Sequence, residues 1–169
     1  ALWLAEGNAA KQAEKILTRP SVQLPLIMIV EYSLAQLWMS WGVEPNALVG
    51  HSMGENTAAC LAGVIGYEDC IGLVLLRGQL FDTVPAGGML SVGMAANDLG
   101  ELLDGNLEIA GINAPELTVV SGPDGSLKKL AEILAAQDID CQRIPIDIAA
   151  HSSMLEPILG RFGDYLRSI

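Results

Sequence analysis

Apolar residues recur at helical spacing through Ile27, Val30, Leu34, Leu37, Trp38 and Trp41, which predicts a long helix over Gln23 to Trp41. Pro25 falls in its first turn, where a missing N–H costs little, and Gly42 supplies a stop. Before it, Ala1 to Arg19 carries helical spacing from Ala9 to Leu17, closed by Pro20. A further helix is predicted over Tyr67 to Val84, with Ile71, Val74, Leu75, Leu80 and Phe81 on its apolar side and Arg77 near its middle. Past the linker Pro85-Ala86-Gly87-Gly88 the rhythm shortens. Met89 to Met94 suits a strand, Asn97 to Leu103 a helix, and Leu107 to Ile112 and Leu117 to Ser121 two strands. Gly122 to Gly125 reads as a turn, Ser126 as the cap of a helix over Leu127 to Ala136, and Cys141 to Ile146 as a last strand. The order β-α-β-β-α-β is that of the ferredoxin-like split unit. A small subdomain over residues 86–147 is therefore expected, inserted in a larger one made of 1–85 and 148–169, which ends in a helix from Met154 to Leu166.

The short apolar run Ala47 to Val49 enters Gly50-His51-Ser52-Met53-Gly54, a G-x-S-x-G pentapeptide, and a helix-prone stretch follows from Glu55 to Ala62. Strand, tight turn and helix in that order fit a nucleophile elbow with the serine hydroxyl at its apex. Gly50 and Gly54 are expected where a Cβ would crowd the strand against the helix. A helix starting just after Ser52 aims unpaired N–H groups at the apex, so Ser52 could take an acyl group while the Met53 N–H holds the oxyanion. A glycine-flanked turn with a chance serine is the plainer alternative.

Half of the 169 residues are apolar, enough for a core. A net charge of -11 argues against nucleic acid or an anionic membrane as partner. The most apolar run, Leu24 to Val30, holds Pro25 and soon meets Glu31, so no membrane span is expected. Cys60, Cys70 and Cys141 are odd in number and widely spaced, which fits a reducing cytoplasm better than a disulfide framework or a zinc site.

A serine nucleophile needs a base, and the chain has two histidines. His51 adjoins Ser52 and on a tight elbow points elsewhere. His151 follows Ile148-Ala149-Ala150, where the small subdomain returns to the larger one, and precedes Ser152-Ser153, which can cap the next helix. It is either the base at a cleft or a helix-entry histidine bonded to local backbone. Arg77 sits in an apolar helix and calls for a carboxylate partner, either a structural Asp or Glu or a substrate, unless it lies on an exposed face.

Four segments together resemble the acyl-carrier-protein acyltransferases: Gly50-His51-Ser52-Met53-Gly54-Glu55, Arg77-Gly78-Gln79-Leu80, Asn113 to Gly122, and Ala149-Ala150-His151-Ser152 with Met154 and Pro157. These are the malonyl-transacylases of fatty acid synthesis and, more closely, the acyltransferase domains of modular polyketide synthases; the similarity runs from about Gln23 to Ile158. The resemblance implies an α/β fold, a hydrolase-like parallel-sheet core with the ferredoxin-like subdomain inserted. It implies Ser52 as nucleophile and His151 as base and then acid, steadied by a backbone carbonyl. Arg77 would pair with the free carboxylate of a malonyl-type unit, Asn113 would line the cleft, and Gln23 and His51 would lie near the site. The implied reaction is ping-pong, from acyl-CoA (malonyl-CoA) to the phosphopantetheine thiol of an acyl carrier protein, with no bound cofactor or metal and with neighbouring synthase domains as further partners.

The chain departs from the family pattern in lacking the opening G-Q-G-x-Q motif, which supplies the second oxyanion N–H, and the stretch after the last helix. It is expected to be incomplete at both ends, and one missing oxyanion donor implies a rate lower by roughly 10²–10³-fold. Before the histidine the family often reads H-A-F-H for malonyl and Y-A-S-H for methylmalonyl; here Ile148-Ala149-Ala150-His151 matches neither. Ala150 leaves room for an α-methyl, whereas Met53, in place of the glutamine of methylmalonyl enzymes, leans to malonyl, which is the reading favoured. The rivals are a serine hydrolase or thioesterase, which shares the elbow, and a truncated non-catalytic module that only binds carrier protein.

Overall fold

The computed structural model describes residues 6–169, so the first five residues of the expected N-terminal helix lie outside the described part. Packing divides the chain into two compact units, one of residues up to Thr83 with Gly160–Ile169, the other Val84–Leu159.

The first unit is helical: α1 (Gly7–Leu17), α2 (Pro20–Ser40), α3 (Gly54–Leu61), α4 (Tyr67–Phe81) and the C-terminal α7 (Glu156–Leu166), whose last residues return to it. Pro20 opens α2 at its first position instead of closing the helix before it, because its absent N–H would be unpaired there in any case. Pro25 consequently lies inside α2, a turn later than the sequence suggested. α2 packs chiefly on α4, and Gly78 is what lets them approach: a Cβ there would stand 2.5 Å from the Pro20 carbonyl oxygen. Thr57 of α3 donates to Glu31 in the middle of α2 at 2.7 Å. By length and composition α2 could also cross a membrane, the one helix among the described residues that could. Only Leu24 and Met28 of it are buried, while Leu34, Leu37, Trp38 and Trp41 lie exposed. A helix apolar all round is built to be covered on more than one side.

Among the described residues there is no parallel sheet of the kind expected. Residues 47–49, read as the strand entering the elbow, form no ladder, and Val49 is 97% exposed. A strand exists only through neighbours that share its N–H and C=O groups, and among the described residues this unit has no other strand.

The second unit holds the sheet. β1 (Gly88–Val92), α5 (Ala96–Gly100), β2 (Glu108–Ala114), β3 (Leu117–Gly122), α6 (Asp124–Ala136) and β4 (Cys141–Ile144) follow the order read from the chain. Every pairing is antiparallel and the spatial order is β2-β3-β1-β4, the split βαβ arrangement of ferredoxin-like folds. Its core is Leu90, Val92, Leu99, Leu107, Val120, Leu127, Leu130 and Leu134, the alternate strand positions meeting the i, i+3, i+7 face of α6. Ser126 does not cap α6. The helix starts three residues earlier than expected, at Asp124, with Pro123 at the cap position and its carbonyl accepting from Ser126 N and Leu127 N.

Residues 148–159, assigned from sequence to the larger unit, pack with the sheet. Ile148, Ala149 and Ala150 are buried, Gly87 N donates to Asp147 O at 3.3 Å, and Glu108 of β2 binds Ser153.

Candidate active site

The elbow is built by main-chain bonds at short range. Gly54 N donates to His51 O at 3.0 Å, Glu55 N to Ser52 O at 3.2 Å, and Asn56 N to Met53 O at 3.1 Å, winding the chain into α3. A Cβ on Gly50 would fall 2.2 Å from Glu55 N, closer than any real contact, so only glycine fits there. Gly54 has open space around it, with nothing within 4 Å of a Cβ, so the expected clash holds at Gly50 and not at Gly54.

Ser52 sits in the left-handed region at φ 51°. Three non-glycine residues among those described adopt positive φ, and two of them are the expected nucleophile and base, Ser52 and His151 at φ 59°. Such conformations cost on the order of 1–3 kcal/mol each and persist where the surroundings dictate them. At His151 the surroundings are visible: Ser152 Oγ donates to Ala149 O at 2.7 Å and accepts from Met154 N, capping a short 3-10 turn (Ser153–Leu155) that runs into α7. The sequence expectation of a serine cap after the histidine holds for Ser152.

Arg77 and Met53 are brought together. One guanidinium nitrogen of Arg77 lies 3.6 Å from Met53 Sδ, and its Cζ stands 5.4 Å from the centre of the Phe81 ring, one turn further along α4. Burial pushes the Arg77 pKa below its ordinary value, and the nearby Glu55 charge opposes that shift. Among the described residues Arg77 forms no ion pair with a carboxylate. A thioether sulfur is a weak acceptor, so a half-buried cation is left with hydrogen-bonding capacity aimed beside the elbow.

The remaining candidates are dispersed. Gln23 donates its backbone N–H to Arg19 O at 2.8 Å and lines an apolar pocket with Leu17, Leu26, Ile27, Val30 and Glu31; Ser52, Met53 and Arg77 are not in that lining. Asn113 lies on β2, exposed, and His51 is exposed at the elbow. Ala150 is buried, 7% exposed. Ser52, Met53, Arg77, Gln23 and His51 belong to the helical unit, and Asn113, Ala150 and His151 to the sheet unit. Phe81 reads from sequence as a core residue only, although its i+4 spacing from Arg77 places the two on one face. The Thr57–Glu31 bond, joining residues 26 apart, carried no such signal.

The acyl transferase domain family model matches residues 9–168, and the chain belongs to that family. Its relatives are polyketide synthases: it is 39% identical over 161 residues to polyketide synthase GfsA of Streptomyces halstedii, covering 92% of this chain and 2% of that protein. The acyltransferase domain from the second module of the salinomycin polyketide synthase aligns with 89% of this chain at a TM-score of 0.83 and 34% identity. The malonyl CoA-acyl carrier protein transacylase of Clostridium perfringens aligns with 92% of it at 0.82 and 27%. The chain spans 37% and 52% of those two solved chains.

Proposed function

We propose that this chain transfers a malonyl-type, dicarboxylic acyl group from coenzyme A to the phosphopantetheine thiol of an acyl carrier protein, through an ester on Ser52. On this reading His151 takes the Ser52 hydroxyl proton as Oγ attacks the thioester carbonyl. The tetrahedral oxyanion is held by the Met53 N–H, and its collapse breaks the C–S bond while His151 returns the proton to the leaving CoA sulfur. The second half runs the same steps in reverse order with the carrier thiol as nucleophile, regenerating the serine. On the same reading Asn113, Gln23, His51 and Ala150 line the acyl path. The chain works in the cytoplasm beside neighbouring synthase domains.

The observation that carries this reading is Arg77, a half-buried guanidinium beside the elbow that rests against a thioether and a phenyl ring and, among the described residues, forms no ion pair with a carboxylate. A substrate carboxylate supplies the acceptor that the protein withholds, and a monocarboxylate would leave the cation unpaired. Met53, in place of the glutamine of methylmalonyl enzymes, stands against that guanidinium, which supports malonyl over methylmalonyl. The test is incubation with radiolabelled malonyl-CoA. An adduct on Ser52 that passes to carrier protein faster than to water supports transfer; faster loss to water would make the chain a hydrolase.

A further inference from the structure

Glu108 does nothing in the reaction just described, yet its carboxylate reaches across the sheet unit to the residue two places after His151. Its two oxygens accept from Ser153 N at 3.1 and 3.2 Å, and one of them also accepts from Ser153 Oγ in a very short contact. Glu108 opens β2, the edge strand, where it pairs with Ser121 of β3, so its backbone is fixed by the sheet. Between His151 and Ser153, Ser152 Oγ donates back across the histidine to Ala149 O. A histidine held at φ 59° is thus spanned by one local tie and followed by one long-range tie.

We propose that Glu108 is a positioning residue for His151: it clamps the Ser153 end of the histidine loop to the sheet and so holds the imidazole at the angle its proton transfers need. This rests on His151 being the base. The physical logic is that a left-handed backbone at a non-glycine residue persists where the surrounding structure over-determines it. The Ser152 bonds are local to the turn, whereas Glu108 ties the turn to a strand of the sheet. The carboxylate at the first N–H groups of a helical segment also caps that segment, with charge of the favoured sign.

The clamp is tested in Glu108→Ala, Glu108→Gln and His151→Ala, each as the full chain. In Glu108→Ala the initial rate of Ser52 acylation by malonyl-CoA should fall by about tenfold to a hundredfold in kcat with KM unchanged, as expected for a catalytic group displaced by about an ångström. Glu108→Gln, which keeps an acceptor for Ser153 N–H, should restore most of it. Backbone 15N order parameters at residues 151–153 should drop in Glu108→Ala and hold in Glu108→Gln. Unchanged kcat and unchanged order in Glu108→Ala, with acylation abolished in His151→Ala, would overturn the clamp while leaving the acyl-transfer reading intact. Acylation that survives His151→Ala removes that reading and the clamp with it. A loss that appears only as a lower melting temperature, with kcat intact, would make Glu108 a plain helix cap.

Discussion

Replacing Arg77 by alanine should change which acyl group is accepted more than how fast the enzyme works. A charge-assisted hydrogen bond contributes about 1.5–3 kcal/mol. At about 1.4 kcal/mol per decade that is roughly tenfold to a hundredfold in malonyl-CoA kcat/KM. Acetyl-CoA makes no such bond, so its kcat/KM should stay level or rise. The structure sharpens the expectation: Met53 Sδ and the Phe81 ring lie against the guanidinium, and among the described residues no carboxylate forms an ion pair with it that the change would break, Glu55 acting on it only as a nearby charge. Arg77→Met, which removes a half-buried charge and keeps the stem, should be neutral or mildly stabilising without substrate. The assay is competitive labelling of the chain with malonyl-CoA and acetyl-CoA, beside thermal unfolding of Arg77→Ala, Arg77→Met and the parent. Equal losses for both thioesters, or a marked drop in melting temperature for Arg77→Met, would refute the view of Arg77 as a receptor for substrate carboxylate.

Gly50→Ala should destabilise the elbow by several kcal/mol, since its Cβ would lie 2.2 Å from a backbone nitrogen that cannot yield; an unchanged urea midpoint would contradict the turn geometry. Thr57→Val, nearly isosteric, strips the partner from Glu31 and should cost about 1–3 kcal/mol by urea denaturation, whereas adding Glu31→Gln to it should recover part of that. Burial, and then the neighbouring Cys60, push the Cys70 thiol up from 9.0 to about 11. Below pH 9 both the native and the unfolded thiol are protonated; between about pH 9 and 11 only the unfolded one ionises, so stability present at neutral pH is lost as pH rises through that window. Cys70→Ala should flatten this alkaline limb of urea midpoint against pH, and an identical limb in the variant would contradict it.

What could be read from sequence was whatever short-range patterns encode. Alternation in Leu117 to Ser121 and the spacing of Leu127, Leu130 and Leu134 were enough for the sheet unit, because each element buries one face against the next and its hydrophobic period is therefore clean. The parallel strand was misread since Ala47 to Val49 is only an apolar run, and a run becomes a strand through partners that a local pattern does not contain. Helix starts at Pro20 and Asp124 were each set a few residues late, the usual fate of boundaries governed by caps. At the site, Ser52, Met53 and Arg77 were legible through their motifs and the family resemblance. The Thr57–Glu31 bond of the helical unit and the Ser153–Glu108 bond of the sheet unit join residues 26 and 45 apart and leave no trace in spacing.

The most direct measurement is mass spectrometry of the peptide containing Ser52 after exposure to malonyl-CoA, in the parent chain and in His151→Ala. The parent should carry one malonyl group on Ser52, lost on adding carrier protein, and His151→Ala should carry none. A parent chain whose Ser52 stays unmodified, or a modification indifferent to His151, would contradict the acyl-transfer reading.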